Sequence, residues 1–266
     1  MVALSIKTNF PAVQEKLAEL GKQGRYACAV ALTRTAQDVK RDLVKEMAKV
    51  FDRPTRFTLN SLYLKPATKA DLTARVWLKD EYGTQPNYLL PQIEGGNRVQ
   101  KRFEVLLRQR GLLADSERTV PGAGAKLDGN GNMSRGQIVQ IISQLGAFNL
   151  AGASQNATGS KRSKAKRAKG SYFYARRGEA RTGRGSWKQG LKVQHLPTGI
   201  YLKTAEGIKP VLIFVHGAKY RIRLHFVPVA LGTIERAFPG HFAREYAKAL
   251  RTARWGELSG RVPALA

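Results

Sequence analysis

The chain has 266 residues, 42% of them apolar, and carries 46 lysines and arginines against 19 aspartates and glutamates, a net charge of +27. That length can bury roughly 70–75% of the unfolded surface, enough for one large domain or a domain with a sizeable insertion, while the charge attracts polyanions and makes isolated copies repel. A single cysteine excludes an intramolecular disulfide framework and suits a reducing compartment; with no long apolar run and no signal-peptide pattern at Met1-Val2-Ala3-Leu4-Ser5-Ile6, the chain is expected to be soluble, unprocessed and without a membrane span.

Over residues 25–50, Cys28, Leu32, Ala36, Val39, Leu43, Met47 and Val50 recur every three or four positions, whereas Arg34, Lys40, Arg41 and Lys45 fall mostly elsewhere. This predicts a long amphipathic helix. Cys28 lies on its apolar stripe and reads as a small buried side chain rather than a reactive thiol. Pro54, in Asp52-Arg53-Pro54-Thr55, lacks an amide donor and ends the helix. A short turn is predicted at 58–62, and the alternation over 72–79 predicts a half-buried strand that turns back on the helix. The peptide Gln92-Ile93-Glu94-Gly95-Gly96 follows.

Val99, Phe103, Leu106, Leu107 and Arg110 have helical spacing, with Gly111 placed for a left-handed cap. Residues 120–133 read as an irregular crossing loop. Ser134 is expected to open another helix, with Gln137 completing a capping box and Ile138, Ile141, Ile142 and Leu145 forming its buried face before Gly146. Residues 152–170 lack an apolar period and read as a mobile loop. Strands are predicted at 172–174, 199–204, 211–216 and 220–224, the last two joined as a hairpin through Gly217-Ala218-Lys219. A helix over 229–237 is expected to break or kink at Pro239-Gly240, resume through Phe242, Tyr246, Ala249 and Leu250, and give way to an extended tail after Trp255.

The fold class that emerges is α+β, long amphipathic helices packed on an antiparallel sheet with a helical insertion and a flexible basic loop. Residues 1–96 form the first part of the helix-plus-sheet core, 97–170 the helical insertion and basic loop, 171–254 the sheet and C-terminal helix that complete the core, and 255–266 the tail.

Catalytic and metal patterns do not assemble. His195, His216, His225 and His241 lack zinc-ligand spacing. Asp128, Asn130 and Asn132 imitate half of a calcium loop, but Met133 stands where glycine is required and Val139 where the closing glutamate belongs, so a polar turn is expected. The segment from Gly152 to Asn156, with Ser154 at its centre, lacks the final glycine of a nucleophile elbow, and no phosphate-binding loop motif occurs. The reading is that of a non-enzyme with no cofactor or metal.

The positive charge is general but also concentrated: between Ser160 and Lys192 there are 12 basic residues and one acidic residue, Glu179. Lys161, Arg162, Lys164, Lys166, Arg167 and Lys169 place six cations in nine residues, with Arg176 and Arg177 just beyond Tyr172-Phe173-Tyr174. Such an array can follow a phosphate backbone while aromatic rings stack on bases; equally it can dock on an acidic protein neighbour, and the aromatic residues can belong to the core.

The order of a long helix over 31–50, a proline-containing break and small Leu-Ser turn over 54–62, a strand at 73–78 and then Ile93-Glu94-Gly95-Gly96 resembles the tail-completion proteins of long-tailed phages, including the minor tail protein Z group. The segment over 209–220, before a C-terminal helix, is also similar to phage tail proteins, whereas 97–190 stands as a large insertion. The resemblance implies a structural virion protein at the neck or head-proximal tail end, assembled in the host cytoplasm, that completes the tail or joins head and tail as a ring around the DNA passage. Implied partners are further copies, the portal or its adaptor, tail subunits and genomic DNA. The alternative is a sequence-independent nucleic-acid-binding protein.

Overall fold

The computed structural model of the chain describes residues 3–7, 11–79, 87–148, 157–178 and 195–259. Strand β1 (Ala3–Lys7) precedes the long helix α1 (Pro11–Val50), the single turn α2 (Arg56–Leu59), and strands β2 (Leu62–Lys65) and β3 (Thr73–Leu78). Then come α3 (Leu90–Glu94), the two-residue β4 (Gly96–Asn97), α4 (Arg102–Gln109), β5 (Glu117–Pro121), α5 (Arg135–Gln144), α6 (Lys161–Lys169) and β6 (Ser171–Ala175). The order ends with β7 (Gly199–Thr204), β8 (Gly207–His216), the two-residue β9 (Lys219–Tyr220) and α7 (Phe226–Ser259). The fold is α+β, and its sheets are antiparallel. It divides into two compact units, Met1–Gly95 with Arg221–Ala266, and Gly96–Tyr220.

In the first unit the sheet has the order β1-β3-β2. The apolar stripe read from the sequence is the core: Cys28, Leu32, Ala36, Val39, Leu43 and Met47 have no exposed surface. They cluster with Leu62, Ala74, Val76 and Leu78 of the sheet and with Phe226, Ala230, Phe238 and Phe242 of α7. Each fully buried leucine or valine contributes roughly 1.5–3 kcal/mol of transfer free energy, so this stripe is the main attractive term of the unit.

Helices α1 and α7 also share a polar seam. Arg34 pairs with Glu245 at 2.5 Å, Asp38 Oδ2 lies 2.7 Å from His241 Nε2, and Asp42 accepts from Thr233 Oγ1 at 3.1 Å and Arg236 at 2.8 Å. Positions 34, 38 and 42 advance one turn at a time along one face of α1, while their partners descend along α7. The seam therefore fixes an antiparallel register. Burial pushes the Asp42 carboxyl up, but the Thr233 hydroxyl and the Lys45, Arg236 and Arg41 cations outweigh it and hold the group below its usual value.

The second unit is built on a sheet of order β5-β8-β7-β6. Leu107 of α4 and Ile141 and Ile142 of α5 pack with Tyr172, Ile200, Leu212 and Phe214 of the sheet. At the start of edge strand β6 the Gln144 side chain donates to the Gly170 carbonyl at 3.4 Å and accepts from the Tyr172 amide at 2.9 Å. That clamp satisfies edge groups that would otherwise face solvent or another chain.

Several sequence expectations change. The helix expected from residue 25 begins at Pro11, because proline suits a first helical position and Gly21 and Gly24 cost propensity without ending a helix this long. Residues 161–169 are not a loop but α6, since lysine, arginine and alanine are good helix formers even where no apolar face exists. The expected 211–224 hairpin does not form. Instead β9 pairs with β4 through Gly96 with Tyr220 and Asn97 with Lys219, after Gly217 donates its amide to Ser116 and Ala218 accepts from Arg98.

Helix α7 runs unbroken through Pro239. The proline removes one donor, while Phe238 and Phe242 on either side of it stack on each other and are both buried in the core. The same helix continues to Ser259, so the tail expected from residue 255 is helical there, and residues 260–266 lie outside the described ones. Ser134 makes no side-chain cap, and Gln137 is drawn away to bridge the Lys126 amide and Gly124 carbonyl. Strands β6 to β8, expected to complete the helix-plus-sheet core, belong to the second unit because their partners are β5, α4 and α5; the return to the first unit falls at Arg221.

Leu43→Asp is expected to abolish cooperative folding, since it removes a wholly buried leucine and buries an unpaired carboxylate at a combined cost of about 4 kcal/mol or more. Val39→Leu is expected to stay folded at a cost of about 1 kcal/mol. Urea unfolding followed by circular dichroism checks both, and a soluble Leu43→Asp protein with a parental midpoint contradicts the core assignment.

Candidate polyanion interface

The strongest local concentration of charge among the described residues is α6, with the sequence Lys161-Arg162-Ser163-Lys164-Ala165-Lys166-Arg167-Ala168-Lys169. At 1.5 Å per residue it spans about 13 Å, so six positive charges are spread over fewer than three turns. A helix this short is marginal alone, and like charges three or four positions apart oppose it. Two local devices act against that cost. Ser160 Oγ accepts from the Ser163 amide at 3.3 Å, with Thr158 Oγ1 accepting from the Ser160 amide at 3.4 Å, while Gln144 anchors Gly170 immediately after the helix.

Lys161, Arg162 and Lys164 are exposed. Lys166, Arg167 and Lys169 share the helix, but their side chains lie outside the described ones. Arg176 and Arg177 are not brought beside them. They follow the far end of β6, a five-residue strand of about 17 Å. Arg176 lies 3.9 Å from the Glu117 carboxylate, and the Arg177 amide donates to Thr198 Oγ1. The structure thus leaves one compact cationic helix and two separate arginines.

The aromatic residues after the helix are committed to the sheet. Tyr172 is buried, Phe173 stacks on Tyr201 with centroids 5.6 Å apart, and the Tyr174 ring packs on Phe214 at 5.9 Å. With Tyr172 buried and Phe173 and Tyr174 only partly exposed and packed on sheet neighbours, what the helix itself offers is charge.

Sequence reasoning missed the most concentrated buried network of the second unit. Glu104, three residues after the helix-opening Lys101, has no side-chain exposure and receives five donors: Arg98 through two bonds of 2.6 Å, the Lys101 amide at 2.6 Å, and the Thr119 amide and hydroxyl at 2.8 and 2.7 Å. It ties the first turn of α4 to β5. Burial alone would raise this carboxyl, but the Arg98 guanidinium and the backbone and hydroxyl donors reverse the effect and lower it to about 2. The glutamate at the third helical position was a legible signal; its pairing with Arg98 and Thr119 depends on the fold.

The remaining candidates resolve into structural parts. His195, His216 and His225 are exposed, and His241 belongs to the α1–α7 seam. Among the described residues no group of histidine, cysteine, aspartate or glutamate is arranged to hold a metal, and no helix is long and apolar enough to cross a membrane. Asp128 Oδ1 accepts from the Asn130 and Asn132 amides, making the polar turn expected from the sequence, while Leu127 bridges Met133. The 152–156 segment lies outside the described residues.

No protein-family description, curated protein or solved structure matches the chain. Its class is therefore given by its own geometry: a two-unit α+β protein with a cationic helix leading into an antiparallel sheet.

Two measurements probe these features. Because the folded Glu104 carboxyl lies below its ordinary value of 4.5, its stabilising contribution is fully present above that pH and is lost as pH falls toward about 2. The loss amounts to roughly 3 kcal/mol, and Glu104→Gln should flatten that acid limb in urea titrations at several pH values. Replacing the six cations of α6 by glutamine should leave the thermal unfolding transition in place. If the helix binds duplex DNA through all six, the slope of log affinity against log salt should become shallower by about 5. An unchanged slope and affinity contradict a DNA role for the helix.

Proposed function

We propose that this chain is a structural virion protein of a tailed phage, placed at the neck or the head-proximal end of the tail, which completes the tail or joins head and tail. It acts by subunit contacts and not by turnover. Copies close into a ring around the DNA passage through heterologous interfaces, with the portal or its adaptor on one side and tail subunits on the other. Assembly takes place in the host cytoplasm.

The observation that carries this reading is the order and packing of the first unit. A 40-residue helix leads through Pro54 into the single turn of α2 and the β2–β3 pair, and the same helix is covered by the C-terminal helix. Ile93-Glu94-Gly95-Gly96 follows at the end of α3, where Gly95 and Gly96 adopt φ of 78° and 89°. These left-handed values suit glycine and turn the chain out of the unit. That order of elements is the one on which the resemblance to phage tail-completion proteins rests, and it supports the reading.

The second reading, a sequence-independent nucleic-acid-binding protein, is supported by α6 and by the net charge of +27. The two readings differ in where the protein ends up. A structural protein is expected at fixed stoichiometry in purified particles, and particles made without its gene should have filled or fillable heads that form no stable junction with tails. Added purified protein should restore joining. Quantitative mass spectrometry and electron microscopy of such particles are the test; normal infectious particles lacking the protein overturn the structural reading.

A further inference from the structure

The first unit turns one face of its sheet away from the core, and that face is not neutral. In β2, Leu62 and Leu64 point to the core and Tyr63 and Lys65 to the other side; in β3, Ala74, Val76 and Leu78 point inward and Arg75 and Trp77 outward. The register sets Tyr63 opposite Trp77 and Lys65 opposite Arg75. The two rings pack at a tilt of 30° with centroids 5.6 Å apart, and Tyr63 remains 50% exposed. Lys79, one residue beyond β3, places Nζ 4.9 Å from the Tyr63 centroid.

This arrangement has a cost. Like charges directly opposite on a sheet are destabilising, and the half-exposed Tyr63 beside a partly exposed Trp77 leaves apolar surface in water. Lys65 is only 3.8 Å from Asp71, with both side chains about half exposed, so screening leaves that pair weak. Among the described residues Arg75 has no carboxylate within ion-pair range. What relieves both costs together is a ligand that carries repeated negative charge and flat faces.

We infer that this sheet face, through Tyr63, Trp77, Lys65, Arg75 and Lys79, binds single-stranded nucleic acid. Bases stack on the exposed ring surfaces and phosphates lie against the three cations, a combination that tolerates any sequence because every base has a π-face. Duplex DNA hides its base faces and would meet only the cations. An acidic polypeptide would likewise use the cations and leave the rings without a stacking partner. The inference does not rest on the virion reading, and it concerns a unit that does not contain α6.

The test uses the full chain with the six cations of α6 replaced by glutamine, so that their electrostatics do not mask the sheet. Binding of a labelled single-stranded oligothymidylate, a duplex of equal length and polyglutamate is followed by fluorescence anisotropy. The double change Tyr63→Ala with Trp77→Ala should weaken single-strand binding by about tenfold or more and leave duplex binding unchanged. The pair Tyr63→Leu with Trp77→Leu keeps apolar cover while removing the π-faces and should show the same loss. Tyr63→Phe with Trp77→Phe should retain most of the affinity. Neutralising Lys65, Arg75 and Lys79 should flatten the single-strand salt slope by about 2. Folding of each variant is checked by thermal unfolding. A leucine variant that is folded and binds the single strand as tightly as its parent overturns the inference, and so does an equal loss of polyglutamate binding, which would make the face an acidic-protein site. Particle incorporation reads a separate variable, so either proposal can fail while the other stands.

Discussion

The first unit depends on burying one stripe of α1 against two surfaces at once. Eight side chains from Cys28 to Met47 are wholly enclosed, and the enclosing atoms come from strands close in sequence and from a helix that begins nearly two hundred residues later. Neither surface alone would cover the stripe. The unit is therefore completed only when its C-terminal segment returns, and the chain between Gly96 and Tyr220 must fold without pulling α7 off α1. Hydrophobic burial supplies attraction but little register. The ladder of Arg34 with Glu245, Asp38 with His241, and Asp42 with Thr233 and Arg236 supplies the register, because a slip of one turn would leave half-buried charges without partners.

The second unit solves a different problem. Its sheet is covered only by short helices, so its elements are tied by hydrogen bonds to buried polar side chains as well as by apolar contact. Glu104 holds α4 to β5, Gln137 holds α5 to the loop at Gly124 and Lys126, and Gln144 holds α5 to the start of β6. Each clamp satisfies backbone groups that no strand pairs. Removing one partner strands the others away from water, which makes such clamps costly to break though modest in net worth.

These two ways of holding a unit together explain what could be read in advance. The α1 stripe, the alternation of β3, the strand at Gly199–Thr204 and the glycine cap at Gly111, with φ of 76°, are local patterns, and they stand where the sequence puts them. The pairing of β9 with β4, the capture of Gln137 by a loop and the bond between Arg98 and Glu104 are decisions made by the tertiary fold, with no periodicity to announce them. Helix α6 is hidden for a third reason: lack of an apolar face argues against burial but not against helix, because propensity is a separate property. In the candidate sites the cations themselves were legible. That Arg176 and Arg177 stand a strand's length from α6, and that Tyr63 and Trp77 meet across two strands, was not.

The charge acquires a sharper meaning once the acidic residues are located. Asp38, Asp42 and Glu245 lie in the α1–α7 seam, and Glu104 and Glu117 are buried in the second unit. Five of the nineteen acidic residues are thus held in structural bonds, and the net charge of +27 leaves each copy strongly cationic. Like charge opposes the approach of identical copies beyond any contact they make, and salt screens that opposition only outside about 10 Å. If copies close into a ring, as proposed, the repulsion between them is greatest where their cationic surfaces converge. A polyanion in the passage would neutralise that convergence, so that occupancy by nucleic acid and closure of the ring would favour one another by linkage.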